Sequence, residues 1–391
     1  MNLTKIITLF KCKYSIIFFL LLILLNIYYS VKNKLESIYR GIEKFIKFNL
    51  DGYLNHSSTE FYKRENPQIS IIISTYNGEI YLKPAVRSIQ NQIFLNVEII
   101  IVDDGSMDNT IKIANELMKE DRRIKLISNR INRGTLFTKT KGVLNAKGQY
   151  VMTLDQDNLY STEYVFFFFF YEANKYNLDL LGFSTIYSGI EIKHLTKSSF
   201  FNYIETEVIR KPYIKKRFLG PYSEIQSTTY LCLYFIKTVL FLNSIKILGN
   251  EFISRNIDIG DDTILTFIFS RNAKTLKHIK EICYIILKWP EKYSESLKFQ
   301  RNIKQSEREK KSCYSYITFT EVLLKFTENS DKYIAEKYFL LFFINQKKCR
   351  NNKDIKNDSL RICNLYLHNE YISSKAKKEI SLFLNQTNQY L

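Results

Sequence analysis

ISIIISTYN at residues 69–77, VEIIIVDDGS at residues 97–106 and QYVMTLDQD at residues 149–157 repeat one pattern: a run apolar on both faces that stops at a cluster of small and acidic residues. A buried strand reads this way, because the alternating side chains of an extended chain then need apolar partners above and below the sheet. The intervals carry helical spacing instead. Leu82, Val86, Ile89 and Ile93 fall on one helical face, as do Ile111, Ala114 and Leu117, and then Leu136, Thr140 and Val143. With IKLIS at 124–128 as a further strand, strands and helices alternate from residue 69 to residue 154. The expected fold is α/β: a doubly wound, mostly parallel sheet with helices on both faces.

Such a sheet binds ligands at the carboxyl ends of its strands. Four clusters stand there: Thr75-Tyr76-Asn77, Asp103-Asp104-Gly105-Ser106, Asn129 to Gly134, and Asp155-Gln156-Asp157. Asp155 and Asp157, alternate residues of a short extended turn, can point two carboxylates at one centre, and such oxygen ligands suit Mg or Mn. The other reading of that triplet is an Asp-rich turn capping a helix. Asp103 and Asp104 can accept hydrogen bonds from nucleobase N–H groups or ribose hydroxyls. Gly105 allows a tight turn, Ser106 suits the cap of the next helix, and Asp108 its first turn. Neither GxGxxG nor GxxxxGK[ST] occurs, so dinucleotide cofactors and P-loop phosphoryl transfer lose their usual signatures.

The 391 residues are 46% hydrophobic, ample for a packed core. The net charge of +18 is spread along the chain without the basic arm of a nucleic-acid binder. Nucleic acid is therefore not an expected partner, whereas a phosphate-bearing donor and an anionic membrane face are. The six cysteines lack CxxC spacing, which argues against a zinc site or a disulfide framework; one or two bridges fit a domain facing an oxidising lumen.

Ser15 to Val31 reads SIIFFLLLILLNIYYSV, flanked by Lys11 and Lys13 before and Lys32 and Lys34 after. Its length just spans a bilayer core, and no small-x-small site follows, so it reads as a transmembrane anchor rather than a cleaved signal. Lysines on both sides leave the orientation open. The expected organisation is a cytoplasmic tip and transmembrane helix over 1–35, a stem over 36–66, the α/β domain over 67–290 closed by Trp289-Pro290, and a helical extension over 291–391 with Ile334, Tyr338 and Leu341 on one stripe. That makes the chain a single-pass membrane protein, of the endoplasmic reticulum or Golgi if its source is eukaryotic. The run Phe166 to Phe170 faces every direction of a helix and reads as buried.

The segment from Ser70 to Asn158 resembles the family 2 glycosyltransferases: STYNGEIYLKPAVRSIQNQ (74–92), EIIIVDDGSMDNT (98–110) and NRGTLFTKTKGVLNAKGQYVMTLDQDN (132–158) stand in the family's order and spacing. The resemblance implies the GT-A form of the α/β fold. It implies that Thr75, Tyr76, Glu79, Asp103 and Asp104 contact the nucleotide, and that Asp155 and Asp157 hold the metal, Mn or Mg, and the diphosphate. Where members often carry Arg and, soon after, Asn, this chain has Lys139 and Thr140. Lys139 keeps the charge for a donor contact but not the planar fork of donors.

Ile259-Gly260-Asp261-Asp262, before TILTFIF (263–269), resembles the family's late acidic motif, where a carboxylate is the general base for the acceptor. Family spacing puts Asp261 ahead of Asp262, and capping of the following helix is the alternative. The implied activity is metal-dependent, inverting transfer of a hexosyl or N-acetylhexosaminyl group. The donor would be a nucleotide sugar, a UDP-sugar foremost, and the acceptor a hydroxyl of a glycan, protein or lipid. Two rival readings are a nucleotidyltransferase and a relative that binds nucleotide sugar or glycan without turnover. Residues 178–257 are expected to shape the acceptor pocket.

Overall fold

In a computed structural model of the chain, residues 67–189, 200–201, 207–219, 230–257, 260–288 and 305–326 are described, with scattered positions between 361 and 382. The expected anchor and stem over 1–66, Trp289-Pro290 and the stripe of Ile334, Tyr338 and Leu341 lie outside them. Among the described residues, no helix is long and apolar enough to cross a membrane. All of them belong to one compact unit, Glu65–Leu391.

The first half follows the alternation read from the sequence: β1 (Ile69–Thr75), α1 (Leu82–Gln90), β2 (Val97–Asp103), α2 (Thr110–Glu120), β3 (Ile124–Ser128), α3 (Thr135–Leu144) and β4 (Tyr150–Asp155). Two face assignments shift. Ile93 lies beyond the end of α1, and Thr110 rather than Ile111 joins Ala114 and Leu117 on the buried face of α2. The chain continues through β5 (Leu159–Tyr160), α4 (Val165–Lys175), β6 (Leu180–Gly189), β7 (Phe200–Phe201), β8 (Ile209–Arg210) and α5 (Tyr213–Leu219). After a 3-10 turn at Leu231–Leu233 come β9 (Tyr234–Lys237), α6 (Thr238–Leu248), α7 (Asn250–Ile253), α8 (Asp261–Asn272), β10 (Thr275–Lys288) and α9 (Gln305–Phe326).

The main sheet order is β3-β2-β1-β4-β9-β6-β10-β5. From β3 to β4 every pairing is parallel. Beyond β4 the sheet is mixed, which corrects the expectation of a mostly parallel one: β9 runs against both β4 and β6, and β10 runs with β6 but against β5 and β8. A parallel neighbour needs a crossover to bring the chain back to the same end. β9 enters between β4 and β6 from the opposite end instead. At the other margin, β3 departs from the doubly apolar pattern; only Ile124 is buried, as suits an edge strand that must not recruit another.

Alternation along the central strands separates two apolar layers. Ile69, Ile71 and Ile73 of β1 face one side with Leu82, Val86 and Ile89 of α1, Leu117 of α2 and Phe166 and Phe169 of α4. Ile72 faces the other with Leu136 and Val143 of α3, Ile264 and Phe267 of α8, and Phe319, Val322 and Leu323 of α9. Each fully buried Ile or Phe contributes roughly 1.5–3 kcal/mol of transfer free energy, so both layers are strong. The phenylalanine run packs inward as expected: Phe166 and Phe169 are fully buried, while Phe167, Phe168 and Phe170 lean on the same layer half-buried.

The C-terminal extension is helical where it is described, and α9 shares the second core layer. Cys232, Cys283 and Cys363 are free and buried, whereas Cys313 on α9 is disulfide-bonded, the kind of bridge an oxidising lumen allows. In β10 the register against β6 shifts between His278 and Tyr284. Such irregularities re-aim side chains, and here the fully buried Tyr284 sits beneath the end of β4, its Oη accepting a hydrogen bond of 3.2 Å from the Asp155 N–H.

Candidate active site

Register brings the expected clusters together. Thr75 pairs with Asp103 and Ser74 with Asp155, so β1, β2 and β4 end flush and their loops emerge side by side. Gln156, between the two aspartates, ties two of these ends. Its Oε1 accepts from Thr75 Oγ1 at 2.5 Å and from the Tyr76 N–H at 3.0 Å, while its Nε2 donates to the Tyr76 carbonyl at 3.2 Å. Nothing in the sequence marks this role for Gln156.

The loops after β1 and β2 are stitched as well. Asn77, at φ 49°, receives the Met107 N–H on its side chain and donates its own N–H to Ser106 Oγ. Ser106 therefore holds the neighbouring loop rather than capping α2, whose N-cap is Asn109. Asp108 precedes the helix and accepts from the N–H groups of Thr110 and Glu79. Glu79, expected at the nucleotide, accepts from the backbone N–H and the side chain of Asn109, both at 3.0 Å.

The two aspartates ending β2 divide their work. Asp103 accepts from the Gly105 and Ser106 N–H groups and is fully buried; burial, against those hydrogen bonds, pushes its carboxyl up. Asp104 grips the next loop, accepting from Asn129 Nδ2 at 2.7 Å and from the Arg133 and Gly134 N–H groups at 2.9 Å each. Both carboxylates thus brace the loops at the carboxyl ends of the strands, beside Thr75 and Tyr76.

The densest charge cluster forms where α3 meets the start of α8. Lys139 of α3, its side chain 5% exposed, places Nζ 2.8 Å from Asp262 Oδ1, to which it donates a hydrogen bond, and 2.9 Å from Asp261 Oδ2. Asp155 Oδ1 stands at 3.7 Å. Burial alone would lower the Lys139 pKa; the charges of Asp261, Asp262 and Asp155 outweigh it and hold the ammonium well above its usual range.

Asp261 and Asp262 open the first turn of α8 behind Gly260, whose φ of 83° makes the left-handed entry into the helix. Neither makes a side-chain cap. Their carboxylates serve Lys139 instead. Of the two, Asp262 is the more open, its side chain 20% exposed against 8% for Asp261. Burial, aided by the Asp261 and Asp155 charges, pushes the Asp262 carboxyl up.

Gly134 fixes the approach of these elements. At φ 85° it stands at the N-cap of α3, and a Cβ there would lie 2.6 Å from the Ile257 nitrogen. The Ile257 carbonyl accepts from the Leu136 N–H and from Thr135 Oγ1. Ile257 is thereby pinned against the start of the Lys139 helix.

Asp155 and Asp157 answer the test for a divalent cation. Burial and then the Asp155 charge push the Asp157 carboxyl up to about 6, as for an enclosed carboxylate with a like charge nearby. Mg or Mn is commonly held by one or two carboxylates with substrate phosphate and water completing the shell. Among the described residues, no group of three or more His, Cys, Asp or Glu side chains is arranged to hold a metal unaided. The pair fits a cation shared with a phosphate ligand.

An α/β sheet with acidic clusters gathered at the carboxyl ends of its strands frames the site. Residues 70–238 match the model of glycosyl transferase family 2. An uncharacterized glycosyltransferase of Haemophilus influenzae is 38% identical over 97 residues, covering 25% of this chain and 39% of that protein. The GalNAc(5)-diNAcBac-PP-undecaprenol beta-1,3-glucosyltransferase of Campylobacter jejuni is 40% identical over 93 residues, covering 24% of this chain and 30% of that one. The chain thus spans about two fifths or less of the length of these relatives. Among solved structures, S. aureus TarS 1-349 in complex with UDP shares the fold at a TM-score of 0.55 and 15% identity, covering 80% of this chain and 86% of that one. The same fragment in complex with UDP-GlcNAc gives 0.53 at 16% identity, covering 77% and 80%.

Proposed function

We propose that the chain transfers a sugar from a nucleotide-sugar donor, a UDP-sugar foremost, to an acceptor hydroxyl. The observation that carries this reading is the Lys139 cluster, which joins the acidic end of β4 to an acidic helix start over 100 residues later in the chain. A nucleotide-binding edge thereby acquires a buried, charge-tuned carboxylate beside it. The UDP and UDP-GlcNAc complexes of TarS and the glucosyltransferase relative support the donor class.

In this reading the loop ends at Thr75 and Tyr76 orient the nucleotide over the floor built by Asp103 and Asp104. Asp155 and Asp157 would hold a divalent cation, which would offset the charge growing on the departing diphosphate. Asp262 takes the acceptor proton. It is preferred to Asp261 in that role because it is more accessible, while Lys139 keeps its carboxylate in place. A base facing the sugar from the side opposite the leaving group gives inversion. Lys139 orients the carboxylates of Asp261 and Asp262. The acceptor is a glycan, protein or lipid hydroxyl, and an anchor at Ser15 to Val31 would hold the site near a membrane.

The test is a screen of nucleotide sugars for manganese-dependent release of nucleoside diphosphate. Asp262→Asn should bind donor normally yet transfer at least about 100-fold more slowly, the scale of a general base. Release of pyrophosphate would decide for a nucleotidyltransferase, and donor binding without turnover for a binding relative. Full transfer by Asp262→Asn with loss in Asp261→Asn would return the base to Asp261. For the anchor, the full chain should resist carbonate extraction, and one beginning near Ser57 should not.

A further inference from the structure

The approach to the base is held from outside the family segment. Arg255 lies between α7 and α8, two residues before Ile257 and six before Asp261. Its guanidinium pairs with Glu321 of α9 through Nη1, which also lies 3.3 Å from Thr318 Oγ1 on the same helix. Glu321 is 10% exposed at its side chain and has a second cation, Arg361, on its other oxygen. The stem of the clamp is apolar: Arg255 stacks 4.9 Å from the Phe252 ring centroid, and Phe252 faces Phe326 of α9 at 6.4 Å.

The companion pair of Lys325 with Glu251 sits in the open and adds little. Glu321 differs because it is enclosed and forked between two guanidiniums, a geometry that fixes direction as well as distance. The strand of contacts then runs from α9 through Arg255 to Ile257, which is pinned to Thr135 and Leu136, and on to the first turn of α8.

Resting on the reading of Asp262 as the base, we propose that Glu321 of the C-terminal extension is a positioning residue: through Arg255 it sets the start of α8, and so the aim of Asp262. The extension is part of the acceptor side of the reaction, although none of its described residues touches the carboxylate cluster. Reacting groups displaced by about 1 Å lose up to roughly 100-fold in rate, so a slackened clamp is felt in turnover before it is felt in donor binding.

The experiment compares Glu321→Gln and the milder Glu321→Asp with the parent chain in two assays. In hydrogen–deuterium exchange, both variants should exchange faster over residues 254–266, most in Glu321→Gln, with the peptides of α1 and α2 unchanged. In transfer, kcat should fall roughly 10- to 100-fold in Glu321→Gln and less in Glu321→Asp, with donor KM unchanged. Unchanged exchange at the start of α8 overturns the proposal, as does a loss of kcat accompanied by an equal loss of donor binding. If the parent chain releases no nucleoside diphosphate from any donor, the transfer reading fails by itself, and the exchange result still decides whether Glu321 sets α8.

Discussion

Replacing Lys139 by Met removes one cation from among three carboxylates while nearly keeping its length. The ammonium is almost sealed, at 5% exposure, and two of its partners are nearly so, Asp261 at 8% and Asp262 at 20%; Asp155, at 35%, is partly hydrated and contributes less. Deleting one side of a buried pair strands the other and costs about 3–5 kcal/mol. At ~2–4 °C per kcal/mol for a large domain, with the lower figure suited to this size, the melting temperature should drop by about 6–10 °C. Lys139→Arg should recover most of it by returning the charge. Neutralising Asp262 in the Lys139→Met background should also recover part of the loss, because the stranded charge is then gone. Thermal unfolding of the four proteins measures all of this. If Lys139→Met melts with the parent, or if Asp262→Asn adds its own loss on top, the carboxylates do not depend on Lys139 and the cluster is misread.

Gly142→Ala should destabilise by about 1–3 kcal/mol through overpacking, since its Cβ would lie 2.3 Å from Ile72 Cγ2 and 3.1 Å from Val102 Cγ2; the reading is a lower melting temperature without a change in donor KM. Asp157→Ala should abolish the gain in donor affinity that manganese brings to the parent, as chelation by EDTA does, leaving metal-free binding alike in both by calorimetry. Asp121 supplies a pH dependence. Burial opposes its ionisation, yet hydrogen bonds and charge from Arg123, with Gln90, hold its carboxyl down at about 2 against an ordinary 3.8. That contribution to stability is present above the unfolded value and fades as pH falls from about 4 towards 2. Asp121→Asn should therefore be less stable than the parent at pH 6, with the gap narrowing at pH 3, by denaturant titration.

The half of the fold from Ile69 to Asp155 was legible because each element there states its own period: four isoleucines in β1, and three with two valines in β2, leave little but a buried strand. The second half was not, because β9, β6 and β10 find their partners across long stretches of chain, and direction in a mixed sheet follows from where the chain re-enters. The acidic positions of the site were visible as polar stops to apolar runs. Their uses were not. Sequence cannot tell whether Asp104 faces a ribose or the Arg133 and Gly134 N–H groups, since both need the same carboxylate at the end of the same strand. The charge of Lys139 was readable, but its three carboxylate neighbours, 16 to 123 residues away in sequence, were not. Tyr284 was missed because nothing in the β10 sequence marks the shift that aims it.

The Gln156 amide has the donor and acceptor of a peptide unit, and it meets the Tyr76 peptide as a neighbouring strand would. The sheet in effect continues one rung past its last paired residues, between Asp155 and Asp157. A turn left free would have several soft torsions to arrest whenever a ligand arrived, and each arrested torsion weakens association. Here the middle of the turn is held by three hydrogen bonds beforehand. The backbone ordering that a ligand would otherwise impose on it has been completed during folding.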